Sequence, residues 1–397
     1  MSHHDGVNIA MIGQGFMGRT HSNAWSQVGK FFRPPLAPVM HTVFGQEEEN
    51  PAVFASRWGW RNFSTDWKAL IRSPEINLVD VVTPNYMHAP VAEAAIAAGK
   101  NCSCEKPIAA TLDAAREMAA AARKSKVKTF VWYNYRRCPA VALAHLLVKR
   151  GKIGQIRHVR AWYLQDWAGP NVPLIWRFIK KFAGSGSHGD LGAHIIDMTR
   201  FVTGQEITAI CGAIAETFIK ERFLASGIAG GKIADSGGAA ARKKGKVTVD
   251  DAVLFLARFS GGAVASFEAT RFATGNQNRN GFEINGSSGA IRFNFENMNV
   301  LEFYDATAER AVQGWTPIMV THGGDHPYAE AWWPDAHIIG YEHAFTNMAY
   351  DILRVLAGQA PVVPIPDFQD AYQTQRVLEA AMISAQERRP VKLSQVK

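Results

Sequence analysis

The chain has 397 residues, 47% hydrophobic and 20% charged, which is enough apolar material for two ordinary domains and too much for a disordered chain. No apolar run reaches the roughly 18 residues a membrane-spanning helix needs, and the leading MSHHDG lacks the basic head of a signal peptide, so a cytoplasmic location without a membrane partner is expected. Much of the net charge of +8 gathers in Arg242-Lys243-Lys244-Gly245-Lys246, which ends a Gly/Ala-rich surface loop from Leu224 to Ala241, and no nucleic-acid motif accompanies it, so no nucleic-acid partner is expected.

The first 136 residues alternate strand and helix. Strands are predicted over Val7–Ile12, Val39–Phe44, Leu78–Val82, Asn101–Cys104 and Thr129–Asn134, with helices over Phe16–Val28, from Pro51 to Trp58, over Pro90–Ala98 and over Thr111–Lys124. Continuous apolar strands that alternate with helices predict an α/β domain with a parallel sheet covered on both faces. From residue 137 to 397 the pattern becomes α+β with a mainly antiparallel sheet. A helix over Ala140–Arg150 precedes a strand over Ile156–Leu164, a Gly-rich loop and a helix that opens near Asp190. Strands follow over Thr208–Ile214, Thr248–Phe259, Ala263–Thr270, Gly281–Asn285, Ala290–Phe295 and Val300–Tyr304, parted by glycine turns. Helices near Ile338–Leu356 and Phe368–Gln386 close the chain.

Gly13-Gln14-Gly15-Phe16-Met17-Gly18 follows the first strand and opens the first helix, as a dinucleotide-binding turn requires. Gly13 permits the tight turn, Gly15 lets backbone approach a pyrophosphate, and Gly18 permits close helix–strand packing; the helix N-terminus favours the anion. The second strand ends in Gly45-Gln46, followed by Glu47, Glu48 and Glu49. Gln46 can hydrogen-bond a ribose hydroxyl, and the glutamates repel a 2′-phosphate, which favours NAD over NADP; they serve equally as a solvated helix start. Thr83-Pro84-Asn85 and then His88 follow the third strand, where a sheet of this kind meets its cofactor, although a turn and cap explain Thr-Pro-Asn as well.

Lys106, after Cys104-Glu105 and before Pro107, stands at the carboxyl end of a parallel strand, where a cation can favour a developing alkoxide. Asp190 and His194 are four apart on a predicted helix, and a histidine beside a carboxylate accepts a hydroxyl proton near neutral pH. Asp190 also fits a helix N-cap, and His194 a core histidine partnered by Asp197. The four cysteines, Cys102, Cys104, Cys138 and Cys211, lack paired metal-site spacing and read as free buried thiols; no metal is expected. Trp162, Trp167, Trp176, Trp332 and Trp333 offer apolar faces of the kind that stack on sugars, with Gln165 and Asp166 as polar neighbours, although packing explains most tryptophans.

Taken in order, Gly13–Gly18, Thr83-Pro84-Asn85, Glu105-Lys106-Pro107 and Gly189-Asp190-Leu191-Gly192-Ala193-His194 resemble the Gfo/Idh/MocA oxidoreductases over nearly the whole chain. The resemblance implies a Rossmann domain followed by a domain with an open-faced, mainly antiparallel sheet that builds homodimers or homotetramers. It implies Lys106, Asp190 and His194 as the catalytic set, with His194 as general base oriented by Asp190. Glu105, Trp176 and Arg177 join the cofactor contacts. A narrower resemblance, to glycoside 3-dehydrogenases, rests on His21-Ser22-Asn23-Ala24-Trp25, Asn134-Tyr135-Arg136-Arg137, Tyr163–Trp167, Phe267–Arg271 and His337–His343. It implies a sugar or glycoside substrate oxidised at C3, with Tyr135, Gln165, Trp167 and His343 as substrate contacts; Gly45-Gln46 stands where that group has Gly-Arg. An inositol-type cyclitol dehydrogenase is the alternative enzyme. A non-catalytic cofactor sensor would not require Lys106, Asp190 and His194.

Overall fold

The computed structural model describes residues 6–224 and 243–396, so the Gly/Ala-rich loop lies, except for Leu224, outside the described residues. The chain forms two compact units, one taking the residues up to Arg137 together with Gly340–Tyr372, the other taking the remaining described residues.

The first unit is built on six parallel strands: β1 (Gly6–Ile12), β2 (Ala37–Phe44), β3 (Asn62–Ser64), β4 (Leu78–Val81), β5 (Asn101–Cys104) and β6 (Thr129–Val131). Their spatial order, β3-β2-β1-β4-β5-β6, changes direction next to β1, the switch point where such sheets bind ligands at their carboxyl ends. Connecting helices are α1 (Phe16–Phe31), α2 (Pro51–Trp58), α3 (Trp67–Arg72), α4 (His88–Ala97) and α5 (Leu112–Lys124). Pro51 opens α2 and Gly59 ends it at φ 79°, while the Thr111 side chain caps α5. Sequence pattern did not anticipate β3 and α3, which are three and six residues long and too short to show a period.

In the second unit α6 (Pro139–Lys149) leads into β7 (Ile156–Leu164), then α7 (Lys180–Ala183) and α8 (Ala193–Thr203). The strands that follow are β8 (Ile207–Glu216), β9 (Glu221–Phe223), β10 (Lys244–Lys246), β11 (Ala252–Phe259), β12 (Val264–Thr270), β13 (Arg279–Gly286), β14 (Gly289–Asn294), β15 (Val300–Asp305) and β16 (Trp315–Met319). Among the described residues β9 and β10 pair with each other, while β7, β8, β11 to β16 and a short C-terminal strand make one nine-stranded sheet in which only the neighbours β7 and β12 run parallel. Helices α6 and α8 cover one face. The other face is open and carries Leu254, Leu256 and Val264, each more than two-fifths exposed. Trp162 lies on the opposite face of β7 from Tyr163, with Arg279 over its ring, because successive residues alternate.

The chain then returns to the first unit. Helix α9 (Tyr341–Leu356) packs along α1, and α10 (Phe368–Glu387) begins there before β17 (Val391–Lys392) joins the large sheet. The fully buried Arg137 explains the return: its guanidinium lies 3.2 Å from Asp351 on α9 and donates to the carbonyls of Val363 and Pro364. Arg136 pairs with Asp370. Of the free cysteines, Cys102, Cys104 and Cys138 are buried, and burial pushes all three thiols up; Cys211, expected to be buried, is exposed on β8.

Candidate active site

In the first unit the glycine turn lies against the ends of β2 and β4. Gly13 sits at φ +116°, and a Cβ there would stand 2.9 Å from the Val82 carbonyl oxygen. A Cβ at Gly18 would stand 2.8 Å from Gly13 O, so helix and turn touch through bare backbone. Gly15 differs: nothing lies within 4 Å of its Cβ position, and no side chain caps α1. The helix start, with Phe16 and Met17 as its first residues, is left to an anion. Gly45 packs on the Gln14 side chain, and Gln46 caps the turn that follows, receiving the Glu49 N–H while Glu49 returns a bond to the Gln46 N–H. The glutamates thus do begin a helical turn, and Glu47 and Glu48 stay exposed beside it.

The next two loops lie at the same carboxyl edge. His88 opens α4, and its ring lies between the Thr83-Pro84-Asn85 loop and the Lys106 loop, with Nδ1 2.9 Å from the Pro107 carbonyl and Nε2 2.9 Å from the Thr83 carbonyl; a neutral ring donates to one of the two. Burial lowers its pKa. Thr83 Oγ1 is buried without a hydrogen-bond partner. With the open Gly15 and the uncapped helix, that orphaned hydroxyl fits a dinucleotide lying across β1 and β4. Lys106 is half-buried and leaves β5 beside Glu105, whose carboxylate accepts the Lys106 backbone N–H at 3.0 Å. Tyr341 stacks on Phe16 (ring centroids 6.4 Å apart), which brings the start of α9 to the glycine turn, and His343 Nδ1 accepts the Gly340 N–H at 3.0 Å. Burial lowers the pKa of His343 despite Glu342 nearby. Tyr135 is buried in the short helical turn after β6.

The second unit carries Asp190 and His194. The helix opens at His188 with a π-turn to Gly192 that continues as α8. Its cap comes from a distant residue: the Asp250 carboxylate accepts the N–H groups of Gly186 and His188, both at 2.8 Å, and the Ser187 hydroxyl at 2.7 Å. Two glycines make this possible, since a Cβ on Gly186 would lie 1.7 Å from Asp250 O and one on Gly192 would lie 2.9 Å from the His188 ring. Asp190 is therefore not the cap. Its two oxygens face Arg177 Nη1 at 3.3 Å and Arg271 Nη1 at 3.5 Å. Arg271 is buried and lies over the rings of Trp167 and Phe178, while Arg177 lies over Trp176. His194 is buried on α8 with its ring 5.9 Å from that of Tyr163. Tyr163 and Gln165 both donate to Asn278 Oδ1 at 2.7 Å, and Trp167 Nε1 donates to Gln165 Oε1 at 2.8 Å. Gln165 and Trp167 thus form one polar ladder that begins beside His194. Among the described residues no three His, Cys, Asp or Glu side chains group as metal ligands.

Sequence reasoning missed Asp250 and Asn278, and gave Arg271 only as part of the narrower resemblance, without a role. Asp250 was the most accessible of these, because an Asp-Asp pair entering an apolar strand needs polar partners. Removing its carboxylate leaves the buried N–H groups of Gly186 and His188 unpaired, while the Ser187 hydroxyl keeps the Ala269 carbonyl at 3.2 Å. Asp250→Ala is expected to cost roughly 3 kcal/mol of stability, to be read as a lower urea midpoint at unchanged slope, and an unchanged midpoint would show that the cap does not hold the helix.

Comparison with known proteins gives consistent matches. Residues 7–133 match the model of the oxidoreductase family with NAD-binding Rossmann fold, and residues 141–292 match the GFO/IDH/MocA C-terminal domain. The chain is similar to levoglucosan dehydrogenase of Pseudarthrobacter phenanthrenivorans, 41% identical over 96% of each chain. Among solved structures it resembles levoglucosan dehydrogenase in complex with NADH and levoglucosan (39% identity, TM-score 0.89, 98% of this chain and 99% of that one). It also resembles an oxidoreductase domain protein from Kribbella flavida (44% identity, TM-score 0.90, 98% and 99%).

Proposed function

The chain belongs to the Gfo/Idh/MocA family of NAD-binding oxidoreductases, and from that footing we propose that it is an NAD-dependent sugar dehydrogenase that oxidises one secondary hydroxyl of levoglucosan or a related glycoside, at C3, to the ketone. The observation that carries the substrate class is the likeness to levoglucosan dehydrogenase over 96% of both chains. The Gln165–Trp167 ladder beside His194 supports it, because an indole edge and amides recognise a hydroxylated ring.

Gly13, Gly15, Phe16 and Met17 would hold the pyrophosphate of NAD, Gly45 and Gln46 its adenosine end, and Thr83, Pro84, Asn85, Glu105 and Lys106 its nicotinamide end, with His88 fixing the two loops. We assign Trp176 and Arg177 to the same cofactor from the second unit. When bound, NAD supplies the hydride acceptor. The protein's own part is the proton and the orientation. Lys106 Nζ hydrogen-bonds the reacting oxygen and favours its alkoxide character. A ring nitrogen of His194 takes the hydroxyl proton and passes it to water. Asp190, fixed by Arg177 and Arg271, presents a carboxylate to that imidazole. Tyr135, Gln165, Trp167 and His343 hold the remaining hydroxyls. The exposed apolar strip on β11 and β12 supports a homodimer or homotetramer formed through the open sheet face.

Absorbance at 340 nm tests the reading, with purified protein and NAD against levoglucosan, glucose, simple glycosides and inositols. Reduction of NAD with levoglucosan or a glycoside supports it; a signal with inositols alone overturns the substrate class. Glu47, Glu48 and Glu49 follow Gln46 with no Lys or Arg between Phe44 and Asn50, so kcat/KM with NADP is expected to be lower by about tenfold or more, roughly 1.4 kcal/mol. Equal values for the two cofactors would remove the glutamates from the selection.

A further inference from the structure

We propose that His21 is a positioning residue for the reaction: its imidazolium ties the Asp80 carboxylate to the Glu105 carboxylate, and Glu105 in turn holds the backbone of Lys106. The proposal rests on the reading that Lys106 meets the reacting hydroxyl.

The geometry requires the charge. His21 is fully buried on α1, with Nδ1 2.9 Å from Asp80 Oδ2 and Nε2 3.0 Å from Glu105 Oε1. An ionised carboxylate oxygen only accepts, so two such bonds need a proton on each ring nitrogen. Asp80 is itself fully served. Trp25 Nε1 donates to it at 2.8 Å, Ser103 Oγ at 2.7 Å and Trp132 Nε1 at 3.0 Å. Glu105 uses its other oxygen for the Lys106 N–H at 3.0 Å. The groups against the ring are Asp80 from β4, Glu105 at the exit of β5, Trp132 beyond β6 and Phe345 on α9; of these only the carboxylates titrate. Burial by itself would lower the histidine pKa, but Asp80 and then Glu105 outweigh it and push it up to about 9. The Asp80 carboxyl is held below its ordinary range by the same contact, although burial opposes this.

The result is a strut of alternating charge. It runs from the helix that opens at the glycine turn, through His21 and Glu105, to the loop that carries Lys106. The separations along the chain, 59 residues to Asp80 and 84 to Glu105, exclude a local folding role such as a cap or turn. Ser103 and Trp25 satisfy Asp80 without touching Glu105. That difference separates positioning from stability.

His21→Gln keeps an amide of similar reach but loses the charge and one of the two donors. It is expected to lower kcat about tenfold or more, as misplacement of a reacting group does, while the Kd for NADH stays within about threefold. Ser103→Ala, which weakens the same buried network on its far side, is expected to lower the melting temperature and keep kcat within about twofold. A His21→Gln enzyme with kcat within twofold of wild type overturns the inference. So does a Ser103→Ala enzyme whose kcat falls as far as that of His21→Gln at equal loss of stability.

A second measurement needs no substrate. Long-range proton–nitrogen spectra of wild type should show both His21 ring nitrogens protonated at pH 7 and still protonated at pH 8; a neutral ring at pH 7 overturns the inference. Linkage has a fixed sign here. With the folded value above the ordinary 6.5, the stabilisation from His21 is complete below pH 6.5 and is lost as pH rises through about 9. The melting-temperature advantage of wild type over His21→Gln should therefore shrink across that window, and an advantage that grows there overturns the charge assignment. Wild-type protein that reduces NAD with no sugar would defeat the dehydrogenase reading alone, since the spectrum and the stability difference still decide the state of His21.

Discussion

Lys106→Met is expected to lower kcat by about a hundred- to a thousandfold, the range seen when one charge-stabilising donor is removed, while NADH still binds within about threefold. Methionine keeps the length and apolar stem of lysine and discards the ammonium, so packing of the half-buried side chain survives. The loop itself has other anchors. Its backbone N–H is held by Glu105, and the Pro107 carbonyl lies 2.9 Å from His88 Nδ1. Neither bond uses the Lys106 side chain. The substitution therefore isolates the cation from the scaffold. Single-turnover reduction of saturating NAD, followed at 340 nm, measures the chemical step. Fluorescence titration with NADH measures the site without it. Undiminished turnover would remove Lys106 from the chemistry. A parallel collapse of NADH affinity would leave Lys106 as a cofactor ligand alone, with no separate part in the chemistry.

How much of this was legible in the sequence depends on how local each feature is. The glycine turn was readable because its physics is contained in six consecutive residues, Gly13–Gly18, between an apolar strand and a helix. The parallel sheet was readable for a similar reason: short strand-like runs such as Val7–Ile12 and Leu78–Val82 alternate with helices and are bounded by turns. Lys106 was placed correctly at a strand's carboxyl end by the same logic. Pairing across long separations left no such trace. Asp250 caps a helix 62 residues before it, and Arg137 draws in a segment more than 200 residues later. The return of Gly340–Tyr372 to the first unit follows from the Arg137 contacts. One signal was present and unused. Asp80 stands in the middle of Leu78–Val82, and a carboxylate inside a buried strand must have donors; His21, Trp25, Ser103 and Trp132 are those donors. The π-turn at Asp190 was also hidden, because its opening depends on the Asp250 backbone and carboxylate, 62 to 64 residues away, for which Gly186 makes room.

His194→Ala is expected to cost about a hundred- to ten-thousandfold in kcat, the range attributed to a positioned general base, and here the magnitude matters less than its remedy. Alanine opens space beside Tyr163, whose ring stands 5.9 Å from the imidazole. Added imidazole can enter that space and accept the hydroxyl proton, so the rate of His194→Ala should rise with imidazole concentration and saturate. An enzyme in which His194 only fills the core would lose stability instead, and imidazole would restore nothing. The alternative sequence reading, with Asp190 as a helix cap, is already closed by geometry, since Asp250 fills that role and Asp190 faces two guanidiniums. Those two guanidiniums fix the position of the Asp190 carboxylate. The hydride step gives a second discriminator. Loss of the base slows the chemical step relative to product release, so the deuterium isotope effect on kcat, with substrate labelled at the reacting carbon, should be larger in His194→Ala than in wild type. An isotope effect unchanged from wild type, together with no response to imidazole, would return His194 to the core and leave the hydroxyl proton to another acceptor.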